Sequence, residues 1–291
     1  MKESLGRKIF KFVNITIIVL FIIATVYPFL QVVAESFSSE SMIRGGHVNL
    51  IPRGFNLNTY RALMSDRIFW LNYRNTIIIT VTSTALSLFM TTTAAYALSK
   101  KDLSGRGPLL FLFAFTMFFG GGMIPNFILI NNFMGWSNNL LALIVPGALG
   151  IFNLLIMKTF FENLPKELEE AAAIDGLNQY GIFLKIVLPL SKAVIATQIL
   201  FFAVGNWNSW FGAFLFVSDR TLQPLAMYLR NLVAAATALT AEHAAAGAAE
   251  GVGVNHNVGA VAMVLITAPI VCVYPFVQKH FVTGVTLGSV K

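Results

Sequence analysis

Five stretches of this chain carry no Asp, Glu, Lys or Arg: Phe12–Ala34, Asn75–Ser99, Gly107–Met157, Ala193–Ser218 and Gly251–Gln278. A membrane-spanning helix needs about 20 mostly apolar residues, so each stretch is long enough to cross a bilayer. The third is long enough to cross twice. It is interrupted by Asn131-Asn132-Phe133-Met134-Gly135-Trp136-Ser137-Asn138-Asn139, a polar turn containing glycine. Six spans are therefore predicted, at 12–34, 75–99, 108–130, 140–160, 190–217 and 258–278, in one transmembrane domain over 1–291. Backbone amides find no hydrogen-bond partner in lipid, so these spans are predicted as helices. Period-two alternation in segments of about ten residues, the mark of a membrane barrel, is absent.

Composition agrees. Of 291 residues 56% are apolar and 11% charged, against about 25% charged in a soluble domain. Disorder is excluded by the same numbers. Cys272 is the only cysteine, so no disulfide forms within the chain; it reads as a small apolar filler of the last span. The first apolar run has 23 residues, longer than a signal-peptide core, and no A-x-A-like site follows it. It is expected to be retained.

The net charge of +7 invites a nucleic-acid reading, but the basic residues lie between apolar runs, where they set membrane orientation. With the N-terminus in the cytoplasm, the inner segments hold Lys2, Arg7, Lys8, Lys11, Lys100, Lys101, Arg106, Lys158, Lys166, Lys185, Lys192, Lys279 and Lys291, 13 of the 20 Lys and Arg. The outer segments hold Arg44, Arg53, Arg61, Arg67, Arg74, Arg220 and Arg230. The bias places both termini inside. The Ala-rich stretch Ala234–Glu250 then reads as a helix or flexible loop on the outer side.

Chemistry is scarce. There is no P-loop motif, no H-E-x-x-H and no G-x-S-x-G. His47, His243, His256 and His280 are scattered, without metal-ligand spacing. The spans lack the mid-depth ionisable residue that proton- and sodium-coupled transporters use. Anything this chain moves is expected to draw its energy from another subunit.

The charged stretch between the fourth and fifth spans is the informative one. Pro165 suits a helix start, and Lys166-Glu167-Leu168-Glu169-Glu170-Ala171-Ala172-Ala173 favours helix with its acidic residues near the N-terminus. Gly176 supplies a stop. Asn178 is a candidate N-cap for a second short helix at 179–186, and Pro189 opens the fifth span. The result is a helical hairpin on the cytoplasmic surface, with a thin alanine side and Glu170 beside it. A solvated acidic surface helix fits the same residues.

Glu170-Ala171-Ala172, then Asp175-Gly176, then Ile186-Val187-Leu188-Pro189 resembles the EAA loop of binding-protein-dependent ABC importer permeases. Gly176 falls six residues after Glu170, and nine residues separate it from Ile186. The resemblance runs over nearly the whole chain and is to the carbohydrate-uptake, MalG-like branch. Gly120-Gly121-Gly122-Met123-Ile124-Pro125-Asn126-Phe127-Ile128-Leu129, Asn206-Trp207-Asn208-Ser209-Trp210 and the tail from Phe281 to Lys291 look closest to LplC-type importers of oligosaccharides and polysaccharides, a group that includes the alginate importer.

The resemblance implies an all-α, type I importer permease of MetI-like fold in the bacterial inner membrane. It implies an EAA loop at 161–189 that docks as a coupling helix on a cytoplasmic ATPase. Carried over, Glu170 is the charge partner of an ATPase arginine, Ala171 and Ala172 the close-packed face and Gly176 the turn, with Asp175, Leu188 and Pro189 completing the motif. The implied partners are a second homologous permease, two ATPase copies and a solute-binding protein that meets the outer loop 219–257. ATP and Mg belong to the ATPase; this chain is expected to bind no cofactor and no metal and to catalyse no bond chemistry.

The substrate path is read from residue type. Amides and aromatic rings bind sugars, which selects Asn126, Asn131, Asn206, Trp207, Asn208 and Trp210, with Asn132 beside them. Gly120-Gly121-Gly122 and Pro125 are expected to break the third span, and broken helices line cavities. Trp at membrane interfaces and Asn between helices account for the same residues. Two rivals stand beside sugar import: a permease for another solute, such as phosphate or amino acids, and a membrane anchor with no translocation path.

The topology has a direct test. A reporter that works only in the cytoplasm is expected to be active when fused after Lys101 or Lys185 and inactive after Arg230; the opposite pattern inverts the orientation.

Overall fold

The computed structural model describes residues 5–245 and 257–287. Every regular element among them is helical. The described residues fall into two bodies, one drawn from 1–67 and 229–269, the other from 68–228 and 270–291.

The first body begins with α1 (Leu5–Ser36). From Leu5 to Leu30 all its residues are exposed. A helix apolar on every side has no solvent-facing stripe, as expected of a helix in lipid. After it the chain folds back through α2 (Glu40–Arg44) and α3 (Asn58–Ser65). The Phe37 ring stacks on Tyr60, centroids 5.2 Å apart, and the Tyr60 hydroxyl donates to Ser36 Oγ at 2.9 Å. Burial raises the Tyr60 pKa, and the bond to Ser36 offsets part of the rise. Thr59 Oγ1 donates to Asn257 Oδ1 at 2.7 Å.

The second body opens with α4 (Arg67–Ser99), an inside-out helix. Asn72, Asn75, Thr76, Ser83, Ser87 and Thr91 are buried, while Ile77, Ile78, Val81, Phe89 and Met90 are exposed. In lipid no hydrophobic force drives helices together, so polar side chains turn inward to find partners. Thr82, Thr92 and Thr93 are satisfied by carbonyls four residues back. The hydroxyls of Thr80, Ser83, Thr84 and Thr91 are buried without a hydrogen-bond partner among the described residues.

The later helices are interrupted. α5 (Arg106–Phe118) and α6 (Met123–Ile128), which runs on as a π turn to Phe133, meet at 107°. The break falls at Phe119–Gly122, with Gly122 at φ 86°. Pro125 lies in the first turn of α6, where its missing N–H costs nothing, so the glycines make the break. α7 (Leu141–Ile144) and α8 (Ile151–Glu162) are separated at Pro146-Gly147. The hairpin follows as α9 (Lys166–Ile174), α10 (Gln179–Ile182), a π turn (Phe183–Val187) and α11 (Leu188–Leu190). The chain then bends by 81° into α12 (Lys192–Trp207), so Pro189 precedes the bend and the long helix starts after it. α13 (Phe211–Phe216), α14 (Leu225–Ala245) and α15 (Val258–Leu287) complete the order. The Ala-rich stretch is helical to Ala245; residues 246–250, 251–256 and the tail 288–291 lie outside the described residues.

Two apolar clusters hold this body. One joins Ile130, Ala142, Ala213, Phe216, Val217 and Met227. The other packs Ala95 and Leu98 of α4 against Leu154, Met157 and Phe161 of α8, Ala172 of α9, and Ile182, Phe183 and Val187. Glu162 closes this end. It receives the Lys158 ammonium at 2.8 Å and the Arg106 guanidinium, and Arg106 Nε also donates to the Leu98 carbonyl at 2.8 Å. Burial pushes the Glu162 carboxyl up, but the hydrogen bond and charge of Lys158 and the charge of Arg106 outweigh it and hold the pKa below 4.5.

Between α9 and α10, Gly176 turns the chain at φ 85°. Its N–H donates to the Ala173 carbonyl and that of Leu177 to the Ala172 carbonyl, each at 3.0 Å. Asn178 caps α10, its Oδ1 accepting from the Gly181 N–H at 2.8 Å.

Two outcomes follow from this inner end. A Cβ on Gly176 meets nothing within 4 Å, so the cost of substitution is backbone strain alone. Gly176→Val is expected to lose about 1–2 kcal/mol while Gly176→Asn, which tolerates the left-handed region, loses less; equal losses in chemical denaturation would contradict this. Glu162, with a folded pKa lowered from its ordinary value, stabilises above that value and ceases to as pH falls through the folded one. Glu162→Gln is expected to lose about 1 kcal/mol at pH 7, and the difference in melting temperature from the wild type is expected to persist at pH 4.5 and vanish only in stronger acid.

Candidate functional site

The hairpin α9–α10 is built so that part of it is committed to its own chain and part is left outward. Helical residues advance by about 100°, so Ala171 and Ala172 cannot both face one way. Ala172 is 6% exposed inside the apolar cluster, whereas Ala171 and Ala173 are exposed. Of the two alanines expected to form the close-packed face, Ala171 stands outward and Ala172 is the contact with the bundle. Glu170, Asp175 and Gly176 are exposed, Leu188 is partly buried and Pro189 exposed. The residue types missed in the sequence are Ile174 at 87% and Tyr180 at 80% exposure, two large apolar side chains on either side of the Gly176 turn. A motif read by identity passes over them; their signal is that they stand as large side chains beside the turn residues Asp175, Gly176 and Asn178.

The hairpin root is fixed electrostatically. Lys100, just past α4, pairs with Glu169 and sits 4.4 Å above the Tyr96 ring. Tyr96 stacks on Phe183 at 4.8 Å, and its hydroxyl donates to Gln179 Oε1 at 3.0 Å. A cavity of about 420 Å³ opens here, lined by Glu169 and Glu170 together with Lys100, Lys101, Lys166 and Gln179. Glu170 thus stands exposed in a mixed-charge recess, available to a cationic side chain from outside.

The residues selected for the substrate path divide. Asn126 lines an apolar cavity of about 430 Å³ with Trp136, Pro146 and Gly212. Asn206 lines another of about 230 Å³ with Ser209, Pro146 and Gly212. Pro146, Gly212 and Phe216 belong to both walls, so the two cavities adjoin where broken helices meet. Asn131, Trp207, Asn208 and Trp210 line neither. Asn131 donates to Asn132 Oδ1 at 3.4 Å, Asn208 Nδ2 closes the end of α12 on the Val204 carbonyl at 2.9 Å, Trp207 lies edge-on to Tyr73 and Trp210 edge-on to Phe211. The polar face of α4 was not selected by this reading; its signal is Ser or Thr recurring every three or four residues, at 76, 80, 83, 84, 87 and 91.

No group of three or more His, Cys, Asp or Glu placed to hold a metal occurs among the described residues.

Known proteins share this architecture. The family model for the binding-protein-dependent transport system inner membrane component matches residues 1–287. The polygalacturonan/rhamnogalacturonan transport system permease protein YtcP of Bacillus subtilis is 41% identical over 274 residues, 94% of this chain and 95% of the relative. The protein LplC of the same organism is 43% identical over 267 residues, 92% of this chain and 90% of the relative. The crystal structure of a bacterial ABC transporter involved in the import of the acidic polysaccharide alginate contains a chain that matches with a TM-score of 0.83 at 32% identity, over 97% of this chain and 99% of that one. With its helical bodies and a family match over nearly its whole length, the chain belongs to the inner membrane components of binding-protein-dependent transport systems.

Proposed function

We propose that this chain is the permease subunit of an ATP-driven importer of oligosaccharides or polysaccharides. The observation that carries the reading is the hairpin: an EAA motif whose Ala172 is packed into the bundle while Glu170, Ile174 and Tyr180 stand outward. Exposed large apolar side chains flanked by charge mark a protein contact. Similarity to permeases named for polygalacturonan and to an alginate importer supports a sugar polymer as the solute. The partners are a second, homologous permease, two copies of a cytoplasmic ATPase, and a binding protein that delivers solute to the outer side. Both termini lie in the cytoplasm and the six spans form the translocation domain. ATP and Mg are bound and ATP hydrolysed on the ATPase, and this chain binds no cofactor.

The mechanism is alternating access. ATP closes the ATPase dimer, the docked hairpins move together, and the bundle shifts between inward-open and outward-open arrangements. A ligand shifts such an equilibrium only by its differential affinity for the two states. Asn126 and Asn206, at the adjoining cavities, are the residues proposed to meet the sugar.

Removing one partner of a desolvated charge pair costs about 2–5 kcal/mol. Glu170→Lys is therefore expected to insert normally and to lose sugar uptake by at least tenfold while the assembled complex still hydrolyses ATP. Normal uptake by this variant refutes the role of Glu170. Failure of any ATPase to co-purify with the wild-type complex leaves the anchor reading instead.

A further inference from the structure

Within the second body, α4 is gripped at both ends. Near its start three side chains hold the main chain of one segment. Asn75 Nδ2 donates to the carbonyls of Thr221 at 2.8 Å and Gln223 at 3.2 Å. Thr76 Oγ1 accepts from the Leu225 N–H at 2.7 Å. Asn72, with its amide turned to donate, reaches the carbonyls of Arg220 at 2.9 Å and Gln223 at 3.1 Å. Asn72, Asn75 and Thr76 are buried, and because they grip backbone, they fix the path of the segment whatever its side chains are. At the other end Tyr96 and Lys100 hold Glu169 of α9, Gln179 of α10 and Phe183 of the π turn.

Between the two grips the helix has neither Gly nor Pro. Thr76 and Tyr96 lie 20 residues apart, about 30 Å along an α-helix. The helices that follow are bent by 107° and 81° at their breaks, where the hydrogen-bonded ladder is interrupted. An uninterrupted helix transmits a displacement.

We propose that α4 is the rod by which the segment Arg220–Leu225 and the cytoplasmic hairpin respond to each other, with Asn72, Asn75 and Thr76 as positioning residues at one end and Tyr96 and Lys100 at the other. The segment opens the outer loop 219–257, so the rod joins the side that meets the binding protein to the side that meets the ATPase. This rests on the reading of the hairpin as the ATPase contact. The Lys100–Glu169 pair is about a quarter exposed on each side and adds little to folding. Its role is in coupling.

The test uses the whole importer, reconstituted from this chain and its co-expressed partners. Cys272→Ser removes the native thiol, and a nitroxide is attached at the exposed Arg220→Cys. ATP with vanadate is expected to change the spectrum of that label in the parent. Tyr96→Leu, which removes the Gln179 bond and the Phe183 stack without touching the recess wall, and Asn75→Ala are each expected to shrink the change at least fivefold while the amount of complex and its rate of ATP hydrolysis stay within twofold. Distant sites that act independently combine additively; the double variant is expected to lose no more than the worse single one. If Asn75→Ala does not assemble, Thr76→Val removes one grip without loss of volume and serves in its place. A parent that hydrolyses ATP with no change at the label, a full response in either variant, or additive losses overturns the rod. A parent that brings down no ATPase overturns the reading of the hairpin first, and the rod with it.

Discussion

A backbone in lipid has nothing to bond to but itself, and that constraint orders this molecule. It makes every described element a helix and decides where a helix is allowed to stop. The interruptions at Gly120–Gly122, Pro146-Gly147, Ser191 and Asn208–Ser209 leave carbonyls and N–H groups that need cover. At the last of these, Asn208 folds its own side chain onto the Val204 carbonyl. Pro146 lies at the meeting of two cavities that also share Gly212 and Phe216. Breaks of this kind are where a membrane protein makes room for something polar, and Asn126 and Asn206 line the walls there.

The same constraint inverts the usual logic of amphipathic helices. On α4 Asn72, Asn75, Thr76, Ser83, Ser87 and Thr91 are inside and Ile77, Ile78, Val81 and Phe89 outside. Part of the inner polar face is used to hold a loop segment, and part of it is buried with no partner among the described residues. A hydroxyl of that second kind bonds readily to whatever polar group is brought to it, because an unsatisfied group in a dry interior is costly.

The sequence read some of this plainly. Charge-free runs announced the long helices, and Gly176 and Asn178 announced the hairpin by their backbone preferences, since φ 85° and a cap at 2.8 Å follow from residue type at short range. What it did not show depends on partners far along the chain. Lys100 meets Glu169 and Arg106 meets Glu162, and nothing local marks either pair. The direction of Ala172 was hidden for the same reason. Three alanines in a row are equivalent until a bundle exists for one of them to touch. Asn131, Trp207, Asn208 and Trp210 were chosen by chemistry alone, and their turn, aromatic and helix-end contacts depend on packing that residue type does not show.

Five contacts within its own subunit shape the hairpin: the Ala172 packing, the Tyr96 stack, the Lys100 pair, the Gly176 turn and the Asn178 cap. A protein that docks against it meets a backbone already turned at Gly176 and capped at Asn178, which lowers the ordering entropy lost on docking. Association at such a preorganised face is governed by diffusion and orientation. Assembly there is then a matter of how often the parts collide and at what concentrations, with no refolding step to slow it.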